Sequence, residues 1–280
     1  MPSLADHHSS SLVKLLFIGD AWSGKTTALA SLVTKLNLEL FILDFDNKLD
    51  SLKAAVIAAA PDLLSNIHYI PFRDTYSTGA AGIDIKGKPR AWADSLRLLD
   101  HWKDGDEDFG TPATWGPDRV LVVDSLSRWC DIAYDFAEGF NPNGDGRAIY
   151  GAAQDSIEKT LSALTSPHFR TNVIVICHGQ YMELSNGTRK IFPQGVGKAL
   201  SPKIPQYFPN YIQASRVGEK RTIKLRSDSL IDLGVNLPET FGKEIDSSDG
   251  LARIFAGLRQ HPASTEAPAS KPKAVTLVRR

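Results

Sequence analysis

The chain lacks several features that would assign it to a class at once. It has only two cysteines, Cys130 and Cys177, which lie in or beside apolar runs without metal-ligand spacing. Neither a zinc site nor a disulfide scaffold is therefore expected. No apolar run approaches the roughly 20 residues that cross a membrane, and the N-terminal residues lack a basic segment followed by an apolar core. We expect buried free thiols in a cytosolic protein with no membrane segment.

The chain also lacks an excess of charge of either sign. Its 32 Lys and Arg residues balance 32 Asp and Glu residues. A strongly basic chain would indicate a nucleic-acid partner, so any surface for nucleic acid must here be a local patch. The composition, 42% hydrophobic and 23% charged, is ordinary for a soluble globular protein. One large α/β domain is expected over residues 12–260, with disordered segments at 1–11 and 261–280.

One glycine-bounded stretch carries the strongest signal. An apolar run at 12–18 is followed by Gly19-Asp20-Ala21-Trp22-Ser23-Gly24-Lys25-Thr26-Thr27 and then by helix-forming sequence. The stretch matches the P-loop pattern G-x-x-x-x-G-K-[ST] at every defined position, in the strand-to-helix context that separates it from a ligand-free turn. In this motif the loop amides point at a phosphate, Lys25 reaches the β- and γ-oxygens, and the Thr26 hydroxyl ligates Mg²⁺. The sequence therefore predicts an ATP and Mg²⁺ site at 19–27.

Two further apolar runs end in acidic residues. Residues 39–43 lead into Asp44-Phe45-Asp46-Asn47, and residues 120–123 lead into Asp124. Open α/β sheets bind ligands at the carboxyl ends of their strands, so these acids are expected near the nucleotide. Asp124 fits the Walker B pattern, in which a buried strand brings a carboxylate to the shell of the Mg²⁺. The alternative role for Asp124 is to N-cap the next helix.

Helical and strand patterns alternate along the rest of the chain, which is typical of an α/β domain. The patterns predict helices over 24–36, 49–60, 90–103, 148–166 and 249–259, and strands over 13–18, 39–44, 66–71, 119–124 and 172–177. An antiparallel hairpin is predicted over 211–226, and loops over 73–89, 104–118, 139–147 and 181–209. The expected fold class is α/β, with a mostly parallel central sheet flanked by helices and a C-terminal antiparallel hairpin.

These landmarks together resemble the RecA-type ATPase core over residues 13–235. Asp44-Phe45-Asp46-Asn47-Lys48-Leu49-Asp50 is similar to the family's acid-x-acid segment, and 120–126 is similar to its Walker B strand. The resemblance implies that Asp46 activates the attacking water and that His178, where the family usually has Gln, senses the γ-phosphate. It also implies that basic residues of the hairpin reach a neighbouring subunit's nucleotide; here these are Lys220, Arg221 and Lys224.

Those hairpin residues lie beyond the core strands, so we expect them to be too far from their own P-loop to act there. Under this hypothesis activity requires subunits to meet in a homo-oligomer or filament. The alternative is an exposed edge hairpin that lysine and arginine protect from aggregation.

The chain most closely resembles phage single-strand annealing proteins of the Sak group, which are RecA-like nucleotide-binding (AAA-domain) proteins. The resemblance implies a phage protein in the bacterial cytoplasm that binds single-stranded DNA, with a single-strand-binding protein as a further partner. The family's DNA-binding loops map onto residues 128–150 and 181–203. They carry basic and aromatic residues suited to phosphate pairing and base stacking, namely Arg128, Trp129, Arg147, Tyr150, Tyr181, Arg189 and Lys190. The competing interpretation is that these loops are ordinary solvated loops.

The predicted function is that of an ATPase that promotes annealing or recombination of single-stranded DNA. Three alternatives stay open on the sequence alone. A helicase or packaging motor would need a further translocation domain, and a small-molecule kinase would need a lid of clustered arginines with an acceptor pocket. The third alternative is a nucleotide switch that binds a partner without hydrolysis.

Overall fold

A computed structural model describes residues 12–80 and 82–260, and the two segments predicted to be disordered lie outside these ranges. The strands are β1 Lys14–Gly19, β2 Glu39–Asp44, β3 Ile67–Pro71, β4 Tyr76–Gly79, β5 Gly82–Ile85, β6 Trp102–Asp104, β7 Glu107–Gly110, β8 Gly116–Asp124, β9 Thr171–Glu183, β10 Arg189–Pro193, β11 Asn210–Val217, β12 Lys220–Lys224 and β13 Glu244–Asp246. The helices are α1 Lys25–Ala28, α2 Ala30–Leu36, α3 Asp50–Ala59, α4 Ala91–Asp100, α5 Leu126–Phe140, α6 Gly146–Thr165, α7 Gly197–Leu200 and α8 Ser247–Gln260.

A nine-stranded sheet forms the centre of the domain, in the order β13-β12-β11-β1-β9-β8-β2-β3, with β10 paired to β9. The six strands from β11 to β3 in this order are parallel, whereas β12, β13 and β10 are antiparallel to their neighbours. The predicted α/β fold, with a mostly parallel sheet and a C-terminal antiparallel hairpin, is therefore confirmed. All six parallel strands run towards one edge, so their carboxyl ends meet there.

Helices cover both faces of the sheet because its central strands are apolar on both sides. On β1, Leu15 and Phe17 face α1, α2, α3 and α8, while Leu16 and Ile18 face α4, α5 and α6. Side chains alternate between the faces of a strand, so a continuous apolar run places a core on each side. Both cysteines are buried and free, as expected. No helix in the described residues is long and apolar enough to span a membrane.

Four segments predicted as loops contain regular structure. Residues 128–150 lie largely in α5 and α6, and hairpins β4–β5 and β6–β7 occupy parts of 73–89 and 104–118. Strand β9 continues to Glu183 and pairs with β10 inside the predicted loop 181–209. Helix α5 forms here because apolar residues recur at helical spacing and bury one face of the helix against the core. These residues are Leu126, Trp129, Cys130 and Ala133.

Lys14 is a buried lysine at the end of β1 that lies away from the P-loop. Its Nζ donates hydrogen bonds of 2.7 Å to the carbonyl oxygens of Phe169 and Thr171 and lies 4.7 Å from the centre of the Phe169 ring. Burial lowers the pKa of Lys14 to about 7. The unfolded chain therefore binds one more proton than the folded chain between pH 7 and pH 10.5, and stability should rise with pH over this window.

Between about pH 7 and about pH 9, we expect the free energy of unfolding of the wild type to rise by about 2 kcal/mol more than that of Lys14→Met. The comparison isolates one titration because the variant removes the amine and keeps an apolar chain of similar length. Urea unfolding at several pH values measures the difference. Parallel pH profiles for the two proteins would contradict the prediction.

Candidate nucleotide-binding site

The loop between β1 and α1 has the backbone of a phosphate-binding loop. Gly24 has a φ of 94°, in the left-handed region that favours glycine. A Cβ atom at Gly19 would lie 2.7 Å from the carbonyl oxygen of Ala214 and 2.8 Å from Oγ of Ser23. Both glycines of the motif are therefore required, Gly24 by its conformation and Gly19 by the close approach of β11.

Lys25 and Ser23 provide polar atoms inside this loop. The Nζ of Lys25 donates hydrogen bonds of 2.8 Å to the carbonyl oxygens of Gly19 and Asp20, and burial lowers its pKa although nearby carboxylates oppose that effect. The Oγ of Ser23 is buried without a hydrogen-bond partner in the described part of the chain. An unsatisfied buried hydroxyl is costly. An ammonium, an unpaired hydroxyl and backbone amides at one loop suit an anion such as a phosphate.

Thr26 and Asp124 meet beside the loop, as predicted. The Thr26 hydroxyl donates a 2.7 Å hydrogen bond to Oδ2 of Asp124. Asp124 is only 4% exposed, and burial, together with the charges of Asp46 and Asp44, raises its pKa to about 6. A hydroxyl and a carboxylate are oxygen ligands of the kind that Mg²⁺ takes, and a cation here would favour the ionised carboxyl.

The protein would supply only part of a magnesium shell at this position. No group of three or more His, Cys, Asp or Glu side chains that could hold a metal occurs within 12–80 and 82–260. Magnesium sites of nucleotide-binding proteins commonly use one or two protein ligands together with phosphates and water. The pair of Thr26 and Asp124 fits that pattern.

Asp46 and His178 lie together at the same edge of the sheet. The Nε2 of His178 is 3.5 Å from Oδ2 of Asp46, and the Ser125 hydroxyl donates a 3.2 Å hydrogen bond to Oδ1. Burial opposes ionisation of Asp46, but its interactions with His178 and Ser125 outweigh this and hold its pKa below the ordinary value. Asp46 is therefore an anion at neutral pH. The predicted water-activating acid and the predicted sensor thus form one polar pair.

The backbone around Asp46 is fixed by several contacts. The amides of Phe45 and Asp46 donate to the carbonyl oxygen of Asp124, at 2.6 and 3.3 Å, and Arg73 donates to the carbonyl oxygen of Asp46 at 2.8 Å. Phe45 is fully buried and stacks on the ring of Trp129, with centroids 5.4 Å apart. Asp46 is therefore carried by a loop that α5 and β8 hold in place.

Asp44 has a different environment from Asp46. It is 2% exposed, and its Oδ1 accepts a 2.6 Å hydrogen bond from the amide of Asn47. Burial raises its pKa. This carboxyl closes the turn after β2, so of the two acids Asp46 is the more open to the site.

The expectation that Arg221 is too far from its own P-loop is wrong. A Cβ atom at Gly24 would lie 2.9 Å from Cδ and 3.4 Å from Nε of Arg221, so the arginine lies directly on the loop of its own chain. The reason is that β11 pairs with β1, which places the turn between β11 and β12 beside the P-loop. Lys224 is ion-paired with Asp228 at 3.1 Å, whereas Lys220 is exposed.

The residues predicted to bind DNA fall into three groups. Trp129 is fully buried in α5 and donates from Nε1 to Ser95, so its assignment to a DNA-binding loop is wrong. Arg128 and Lys190 are ion-paired with Asp131 and Asp232. The remaining predicted residues are exposed, namely Arg147, Tyr150, Tyr181 and Arg189.

Sequence reasoning missed two residues of the site, Ser125 and Arg73. Ser125 follows the Walker B acid, but nothing in the sequence indicates that its hydroxyl faces Asp46. Arg73 follows β3 and reaches Asp46 only because β2 and β3 are paired.

The loop, the acid on β8 and the polar pair at the sheet edge together define a P-loop nucleotide-binding protein. The AAA_24 family model, described as "AAA domain", matches residues 12–232, which is well over half of the chain. The chain therefore belongs to this family of AAA-domain proteins and is a P-loop ATPase. A search of curated proteins gave no match.

Several solved structures resemble the chain at low sequence identity. The RadB recombinase is 14% identical with a TM-score of 0.41, and the match covers 78% of this chain and 81% of that chain. A prototypical ATPase from the type III secretion system of pathogenic bacteria is 14% identical with a TM-score of 0.38, covering 73% and 52%. The assembled ATPase EscN from the type III secretion system of enteropathogenic E. coli is 12% identical with a TM-score of 0.39, covering 74% and 43%.

Proposed function

We propose that this ATPase binds single-stranded DNA under control of its nucleotide state and promotes annealing or recombination of single strands, as the phage Sak-type proteins do. The observation that carries the proposal is the path of β9. This strand holds His178 beside Asp46 and then continues to the exposed Tyr181. One rigid element therefore joins the nucleotide site to the surface proposed for DNA.

In the proposed reaction the P-loop holds the phosphates of ATP. Lys25 exchanges its two carbonyl partners for phosphate oxygens, and Thr26 with Asp124 holds Mg²⁺, which neutralises phosphate charge when bound. Asp46, an anion of lowered pKa, is a weak base and therefore mainly orients the attacking water by accepting its hydrogen bond. His178 would sense the γ-phosphate through its ring: a phosphate that contacts the ring would alter the contact between the ring and Asp46.

The surface proposed for DNA is formed by α5, α6 and the β9–β10 hairpin. The rings of Tyr134 and Tyr150 are 4.7 Å apart, and a Cβ atom at Gly197 would lie 3.5 Å from the Tyr150 ring. Gln154 donates to the carbonyl oxygen of Val196 at 2.9 Å, which further ties α6 to the segment after β10. These contacts join segments that are distant in sequence. Exposed tyrosines offer faces on which unpaired bases stack, so single strands should bind better than duplex.

We expect Tyr181→Ala to weaken binding of a labelled single-stranded oligonucleotide by about 5- to 150-fold, since loss of one stacked base costs about 1–3 kcal/mol. Arg189→Ala should lower the salt dependence, with a slope smaller by about 0.7 for each phosphate that is no longer neutralised. Fluorescence anisotropy with and without a non-hydrolysable ATP analogue measures both effects. The matched control is Tyr69→Ala, which removes a tyrosine that is 51% exposed on β3.

A DNA-stimulated ATPase assay with single strands, duplex and no nucleic acid tests the function as a whole. Stimulation by single strands alone supports the proposal. Equal stimulation by duplex would favour a motor. If the affinity for single-stranded DNA in the anisotropy measurement is no better than that of a neutral control protein in both nucleotide states, the kinase or the partner-binding switch is favoured.

We also propose that the protein acts as a homo-oligomer or filament. Lys220, exposed at the start of β12, is the hairpin cation left to reach a neighbouring subunit. This part of the proposal concerns Lys220 alone, because Arg221 contacts its own loop and Lys224 has an acidic partner.

A further inference from the structure

Two arginines lie opposite each other at the hairpin beside the P-loop. Arg216 on β11 and Arg221 on β12 are direct cross-strand partners. Directly opposite residues project from the same face of a sheet, and like charges in such pairs are destabilising. The pair two residues away along each strand, Ala214 and Ile223, packs in the core on the side of α1, α2 and α8, so the arginines belong to that side of the sheet.

Neither arginine has an acidic partner within ion-pair distance in the residues that the structure describes. The Nε of Arg216 donates to the carbonyl oxygen of Gly218 at 2.8 Å, and Arg221 lies against Gly24. The hairpin therefore places two arginines without a direct ion pair at the flank of an anion-binding loop. A bound anion would relieve their mutual repulsion.

Arg221 also forms part of the wall of a cavity of about 760 Å³. The cavity begins at Thr27 and Ala28, directly after the P-loop, and extends between α2, α3 and the start of α8. Arg221 thus lies between Gly24 of the loop and a cavity of nucleotide size, whose wall also carries Glu219, Asp246 and Asp249.

The strand order tells which part of a phosphate chain Arg221 can reach. Asp46 follows β2 and His178 lies on β9, and both strands are on one side of β1 in the order of the sheet. Strands β11 and β12 are on the other side of β1. In the proposed reaction, water attacks from the side of Asp46. Arg221 therefore approaches the loop from the flank opposite to the terminal phosphate.

We propose that Arg221 binds the α- and β-phosphates of the nucleotide held by its own P-loop. This assignment rests on nucleotide binding at residues 19–27, and it makes Arg221 a ligand-binding residue in cis. Arg221 would contact nucleoside diphosphates and nucleoside triphosphates alike, because both carry α- and β-phosphates. A residue that completed a neighbouring subunit's site would instead act on turnover and require an oligomer.

The test is the affinity for MgADP and for a non-hydrolysable ATP analogue, measured by isothermal titration calorimetry at concentrations where light scattering shows monomers. Arg221→Ala should weaken both ligands by about 10- to 100-fold, as expected for a lost charge-assisted hydrogen bond. Arg221→Lys should recover part of the affinity, because it restores the charge without the planar fork. Lys243→Ala, which removes an exposed cation just before β13, should bind as the wild type does.

Wild-type affinity for MgADP in Arg221→Ala would overturn the proposal. So would recovery of turnover when Arg221→Ala is mixed with Lys25→Ala, since only a residue that acts between subunits can be supplied by another copy. Circular dichroism verifies that each variant is folded, and Arg221→Lys serves if Arg221→Ala is not. Failure of the wild type to bind either nucleotide would instead reject the nucleotide site itself.

Discussion

Lys25→Ala is expected to reduce ATP hydrolysis to background and to weaken ATP binding markedly. The ammonium of Lys25 lies inside the loop, 2.8 Å from two backbone carbonyl oxygens that phosphate oxygens would replace. Arg221 also lies against the loop, but we propose that it binds the α- and β-phosphates, so it cannot replace the charge of Lys25 at the γ-phosphate. Loss of one preorganised donor typically costs about 10²–10³-fold in turnover, and a full positive charge should cost at least as much.

Phosphate release and calorimetric titration of ATP measure the two effects of Lys25→Ala. Lys14→Met is the matched control, because it removes the other buried lysine of the described residues, which lies at the end of β1 away from the P-loop. The control should hydrolyse ATP at the wild-type rate. Wild-type turnover in Lys25→Ala would mean that the nucleotide site lies elsewhere.

Asp46→Asn is expected to keep nucleotide binding and to lower turnover by about 10²–10⁴-fold, as for a lost general base or water-orienting group. Asparagine preserves the shape and an acceptor for Ser125 but removes the negative charge. Because His178 and Ser125 hold the pKa of Asp46 below its ordinary value, the wild type should keep this group ionised until the pH falls below the usual carboxyl range.

Asp44→Asn is the paired measurement for Asp46→Asn. Asparagine can still accept the hydrogen bond from the amide of Asn47, so turnover should stay within a few-fold of wild type. The rate per bound nucleotide separates the two roles. A normal rate in Asp46→Asn with a collapsed rate in Asp44→Asn would assign the water-orienting role to Asp44.

The sequence correctly predicted which residues come together where their position in a parallel sheet determines their neighbours. Gly19, Asp44 and Asp124 each end an apolar run, and such runs become parallel strands whose carboxyl ends meet. Thr26 and Asp124 therefore come together although 98 residues separate them in the chain. The α/β class and the grouping of Lys25, Asp46 and His178 follow from the same rule.

The errors have a common physical origin in long-range pairing and burial. Trp129 belongs to the core because α5 packs on the sheet, where the ring meets Phe45 and Trp92. A resemblance in loop position could not reveal that packing. Arg221 meets Gly24 because β11 pairs with β1 in parallel, a contact between segments nearly 200 residues apart that no local pattern encodes.

Trp22 gives the molecule a built-in optical reporter. Its indole, in the P-loop itself, is 80% exposed, while Trp92, Trp102 and Trp129 are buried and Trp115 is partly buried. An indole in water emits at longer wavelength than one in an apolar core, so the red side of the emission spectrum should belong chiefly to Trp22. A nucleotide that enters the loop would change the solvation of this ring, and binding could be followed in real time without any attached dye.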